Sequence, residues 1–185
     1  MTRHNLYLQL KVLTFTIFFF LVCGFQTSFW PHVISFVPGP QLWLLIIFFI
    51  ILKWPPVLGV FYIYFLGFCL TQFSHIPLKM IWCSSIVTYL FLSILKSRIQ
   101  LTGVFSFMLY SLVGSFFFQI NYVWLSMLIE KVPTSWLILD RFTQILMNFI
   151  ASYFLYFILN RMNKLFSKPT DWTQTPSAQK QEYES

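Results

Sequence analysis

Charge is what this 185-residue chain has least of: Lys, Arg, Asp and Glu together make up 9% of it, and only 5 residues are acidic. A soluble domain usually carries about 25% charged residues, so a water-exposed surface cannot be built from this composition. Glycine is scarce as well, with 6 residues, and the chain holds no Walker motif, no glycine-rich phosphate loop and no paired carboxylates. The 3 cysteines, Cys23, Cys69 and Cys83, are odd in number and lie inside apolar runs without metal-ligand spacing, so they read as buried apolar side chains. His4, His32 and His75 fall in the amino terminus and two loops with no carboxylate or cysteine nearby in sequence. Neither a metal site nor a histidine-based triad is expected from them, and no cofactor or enzyme activity is suggested.

What the chain does have is apolar length. Hydrophobic residues make up 58% and aromatic ones 22%, with 24 Phe, a residue that inserts favourably at the centre of a membrane helix. The Phe content is read as lipid-facing surface. At about 20 apolar residues per crossing there is room for five or six helices and short loops, but not for a separate soluble domain. The apolar runs are continuous rather than alternating, which favours helices over barrel strands. The net charge of +7 does not point to nucleic acid, because the basic residues sit between the apolar runs instead of on one face.

The first run extends from about Leu10 to Phe29 and ends at Trp30-Pro31. Arg3, His4 and Lys11 precede it as in a signal peptide, but no small-x-small cleavage site follows, and it is expected to stay as a membrane helix. Pro38-Gly39-Pro40 makes the segment from Pro31 to Pro40 a loop. The second run, Gln41 to Lys53, is short for a crossing, and Trp54-Pro55-Pro56 separates it from a third at about Val57 to Phe73. These two form either a full hairpin or a partly inserted one. The fourth run spans about Leu78 to Leu95 and the fifth Leu101 to Ile129, whose last part from Asn121 is long enough to bend into the interface. The sixth, Trp136 to Leu159, is capped by Thr134 or Ser135 and followed by basic Arg161, Lys164 and Lys168. Residues 1–166 thus read as one polytopic transmembrane domain and 167–185 as a disordered polar cytoplasmic tail.

Cytoplasmic flanks carry the excess of Lys and Arg. With six spans, Arg3, Lys11, Lys53, Lys96, Arg98, Arg161, Lys164, Lys168 and Lys180 fall on one side, and Lys79, Lys131 and Arg141 on the other. Both termini are therefore expected in the cytoplasm, and a five-span arrangement would spoil the asymmetry.

Ionisable groups within membrane spans are functional candidates by default, and only Glu130, Asp140 and Arg141 come near. Glu130, beside Lys131 at a span end, is most simply solvated. Asp140 and Arg141 are adjacent and cannot face each other on a helix, so one of them is a candidate contact with a neighbouring helix or a partner. The amides Gln26, Gln72, Gln119, Asn121, Gln144 and Asn148 are candidates for bonds between helices or for a ligand or partner contact. Small residues mark Gly59 and Gly67 in the third run and Gly103, Ser106, Ser111, Gly114 and Ser115 in the fifth. Those two runs are accordingly expected to form the packed centre, with Gly67, Ser111, Gly114 and Ser115 as helix-packing or partner contacts.

The order of these features resembles the MreD family of bacterial rod-shape-determining membrane proteins. The resemblance rests on Gln26-Thr27-Ser28 at the end of the first helix, Pro40-Gln41-Leu42 leading into an apolar run, the Lys53-Trp54-Pro55-Pro56 break, Gly67 with Gln72, and Pro77-Leu78-Lys79. It covers about Leu10 to Phe166. Gln41 and Gln72 stand at positions acidic in the family and Lys79 stands for a glycine, so no role that needs carboxylates there carries over. The resemblance implies a non-enzymatic subunit of the cell-elongation machinery in the bacterial inner membrane. Such a subunit binds the single-span protein MreC and links MreB filaments to peptidoglycan-synthesising enzymes. In helix arrangement the family resembles the substrate-binding subunits of energy-coupling-factor transporters, which supplies the alternative of a vitamin-type small-molecule-binding subunit.

Overall fold

The computed structural model describes residues 3–33, 38–74, 76–98, 103–131 and 137–166. The expected tail at 167–185, the caps at Thr134 and Ser135, and His75 lie outside them. Among the described residues every regular element is a helix. α1 (Arg3–Gly24) runs through a π-helical turn, Phe25–Phe29, into the short α2 (Trp30–Val33). Next come α3 (Leu42–Lys53), α4 (Pro56–Leu70), α5 (Leu78–Arg98), α6 (Val104–Ile129) and α7 (Ile138–Leu165).

Four stretches, Tyr7–Val33, Leu78–Arg98, Val104–Ile129 and Ile138–Leu165, are long and apolar enough to cross a membrane. The chain is a multi-pass, all-α membrane protein. α3 and α4 have 12 and 15 residues. At 1.5 Å per residue they measure about 18 and 22 Å, short of a hydrocarbon core of roughly 30 Å.

The breaks follow from local chemistry. Trp54, which precedes a proline, is extended (φ −99°, ψ 159°) and stops α3, and Pro56 opens α4, where a missing N–H costs nothing. Gly103 takes φ +97°, a conformation that suits only glycine, immediately before α6. α5 ends with Lys96 and Arg98 in its last turn, where cations complement the helix dipole. α6 continues as one helix through Asn121 to Ile129. α7 starts and ends later than the sequence suggested, at Ile138 and Leu165, because the basic residues Arg161 and Lys164 extend the helix rather than stop it.

The most completely buried helix is α3 rather than α4 or α6, although Ser106, Ser111, Gly114 and Ser115 of α6 are buried as expected. Every residue from Trp43 to Ile51 is buried, and α3 packs on α1, α4, α5, α6 and α7. Its sequence is apolar on all sides, and such a helix is buried on all sides. Part of the Phe content is interior as well. Phe15, Phe19, Phe48, Phe49 and Phe107 are fully buried, with Phe49 meeting Phe15 at 6.2 Å and Phe107 at 5.9 Å between ring centroids. The outer faces are apolar too. On α7 the exposed residues Leu139, Phe142, Leu146, Ile150, Phe154 and Phe157 recur every three or four positions along one stripe. In water this would be an aggregation surface, whereas in a bilayer it is the lipid contact.

Gly67 on α4 faces α5: a Cβ there would lie 2.8 Å from Trp82 Cδ1 and 3.0 Å from its Nε1. The same indole stacks on Tyr64 at 3.9 Å and donates to the Tyr64 carbonyl at 3.1 Å. Gly67→Ala must push the ring off both contacts, an overpacking cost of about 1–3 kcal/mol. The expected result is a lower denaturation midpoint in detergent with altered tryptophan emission. An unchanged midpoint would mean that Trp82 relocates freely.

Candidate functional site: a polar junction at the start of the central helix

Cations gather at one end of α3. Lys53 ends α3, Lys96 Nζ donates to the Ile51 carbonyl at 3.2 Å, and Lys11 Nζ lies 4.7 Å from the centre of the Trp54 ring. α3 runs from there for about 18 Å, less than a hydrocarbon slab of roughly 30 Å. The first N–H groups of a helix have no partner within it, and lipid supplies none. Gln41 offers no side-chain cap of its own. Other helices do the capping: Asn148 Oδ1 on α7 accepts from the Gln41 N–H at 2.6 Å, and Gln26 Oε1 in the π-helical turn accepts from the Leu42 N–H at 3.1 Å.

Around these caps the amides form a continuous network. Gln119 Nε2 on α6 donates to Gln41 Oε1 at 3.1 Å and to Gln144 Oε1 at 2.8 Å, while Arg141 Nη1 donates to Gln119 Oε1. Gln144 Nε2 reaches the Gly39 carbonyl at 3.3 Å, and Asn148 Nδ2 donates to Ser115 Oγ at 3.0 Å. The spacing 141, 144 and 148 places these three on one face of α7, and 115 and 119 place theirs on the facing side of α6. Two cavities flank the junction. One, of about 170 Å³, is lined by Cys23, Gln26, Thr27, Gln41, Ser74 and Gln144 among others. The other, of about 450 Å³, is a groove between α6 and α7 bordered by Gln119 and Arg141 at one end and apolar side chains elsewhere.

Of the residues singled out from the sequence, Gln119, Gln144, Asn148, Gln26, Ser115 and Arg141 come together here. Asp140 does not: it is exposed in the first turn of α7 and lines a separate depression with Leu137 and Leu139. Gln72 is exposed in the turn after α4, and Asn121 serves a separate contact, its Nδ2 donating to the Ser84 carbonyl at 3.2 Å. Gly114 is packed inside the chain, its position 2.9 Å from Phe48 Cζ for an added Cβ, and Ser111 is wholly buried. Gln41 and the Gly39 carbonyl were not foreseen as members. The available signal was a helix start directly after Pro40 with no Ser, Thr, Asp or Asn to cap it.

The junction is made of amides, one hydroxyl and one guanidinium, which hold position and carry hydrogen bonds but offer no nucleophile or proton-transfer group of ordinary reactivity. Among the described residues no three His, Cys, Asp or Glu side chains gather as a metal site. Comparison of the chain with protein-family models, curated proteins and solved structures gives no match.

Proposed function

We propose that this protein is a non-enzymatic membrane subunit that works by binding other membrane proteins, of the kind found in MreD. In this reading it crosses the bacterial inner membrane six times, α3 and α4 being counted as spans, with both termini cytoplasmic. It binds an MreC-like single-span protein and through it connects MreB filaments to peptidoglycan synthesis. The observation that supports it is how the polar groups among the apolar helices are used: they bond to one another and to backbone groups across the π-helical turn, α3, α6 and α7. The outer faces are left apolar, suited to lateral contacts.

The test is removal and recovery in the native host. Loss of the gene product should round the cells, and the tagged protein in mild detergent should bring down a single-span elongation protein. Rods that persist without it, together with no such partner, would reject the reading. The topology is checked separately by reporter fusions: a cytoplasmic reporter after Lys168 and a periplasmic one between Pro31 and Pro40 should be active, and the reverse pattern would overturn six spans. The small cavity beside Gln26, Gln41 and Gln144 favours a second reading, a small-molecule-binding transporter subunit. Saturable binding of a vitamin-like solute by the purified protein would select it.

A further inference from the structure

We propose that the groove between α6 and α7 binds one anionic glycerophospholipid, with its phosphate at Arg141 and an acyl chain along the apolar walls. The groove encloses about 450 Å³, and apart from Gln119 and Arg141 its lining is apolar, including Val113, Phe116, Phe142 and Ile145. It opens sideways, since Phe116 and Phe142 on its two rims are 58% and 65% exposed on the lipid-facing surface. A bilayer lipid therefore reaches it without leaving the membrane.

Charge decides the headgroup. Arg141 lies in the first turn of α7, where its own charge and the positive end of the helix dipole act in the same direction. Its guanidinium is held at the groove by the bond to Gln119 Oε1, and a planar guanidinium suits a phosphate oxygen pair better than a zwitterion's outer ammonium. The neighbouring carboxylate, Asp140, lines a different depression with Leu137 and Leu139 rather than this groove. An acyl chain is thin enough to lie within.

The experiment uses the full chain purified in mild detergent and native mass spectrometry with equimolar phosphatidylglycerol and phosphatidylcholine. The wild type should retain phosphatidylglycerol in preference, with a stoichiometry of one. Arg141→Gln should lower that preference by roughly tenfold, the scale of one lost charge-assisted hydrogen bond, while Arg141→Lys keeps most of it. Ile145→Trp, which fills the groove, should reduce retention of both lipids. Equal retention of the two lipids by the wild type, or an unaltered preference in Arg141→Gln, overturns the proposal. So does displacement by soluble glycerol 3-phosphate, which would indicate a free phosphate ester, or release of the lipid on adding a copurifying single-span protein that occupies the groove. Should Arg141→Gln fail to accumulate, the wild-type competition and its weakening by salt decide alone.

Discussion

An Asn148→Leu protein is expected to melt well below the wild type in the same detergent. Leu keeps the branching and the number of side-chain heavy atoms of Asn, though it is bulkier, and removes every hydrogen-bonding group. Asn148 is fully buried and joins the Gln41 N–H to Ser115 Oγ. Typical hydrogen bonds between membrane helices contribute about 0.6 kcal/mol, because the unfolded chain in a bilayer finds other partners. This case is different, since the donor is a half-buried backbone N–H at a helix start that its own side chain does not cap. Leaving such a group unpaired costs about 1–3 kcal/mol. A loss of about 2 kcal/mol corresponds to a melting shift of roughly 4–8 °C for a chain of this size. A melting curve that overlays the wild type would show that the Gln41 N–H finds another acceptor and that the junction does not secure α3.

Gly114→Leu is expected to have the second large effect, a failure to accumulate as a monodisperse protein. The first carbon alone would stand 2.9 Å from Phe48 Cζ, 3.0 Å from Phe48 Cε2 and 3.2 Å from Leu92 Cδ1. Phe48 and Leu92 are both fully buried, so neither ring nor methyl has space to retreat. Even Ala should cost about 1–3 kcal/mol as overpacking. Gly24→Ala is the control: nothing lies within 4 Å of its added carbon, and it should be neutral or gain about 0.5–1 kcal/mol from helix propensity. If both glycines tolerate Ala equally, the packing of α3 against α6 is looser than the structure has it.

How far these features could be read in advance depended on whether they are local. The helix breaks were legible because Pro55, Pro56 and Pro77 act within one turn of themselves, whereas Gly103, read as a packing residue of the fifth run, instead precedes α6. The amides were legible as types, since polar side chains in apolar runs need partners. Their convergence was not, because Gln26, Gln41, Gln119 and Asn148 are separated by up to 107 positions in the bonds they make, and no periodicity spans helices. The position of α3 was half legible. Its apolar character on every side is visible in Leu42–Lys53, but the same pattern serves a lipid-facing helix, so burial had to come from the helices around it. Small residues misled for a related reason: Gly67 and Gly114 do mark close approach, yet each approaches a bulky aromatic, Trp82 and Phe48, and the most central helix contains no small residue at all.

The caps on α3 come from Gln26, made before it, and from Asn148, made 107 positions after the N–H it accepts from. A ribosome delivers the chain in order, so α3 leaves the insertion machinery too short to hold itself across the bilayer and with one cap still unmade. It has to wait, alongside α4, for α6 and α7 before its first turn is fully capped. Membrane quality control would therefore see this protein as unfinished until nearly its last helix is in place, and a chain interrupted after Ile129 should be degraded even though most of its apolar helices are already present.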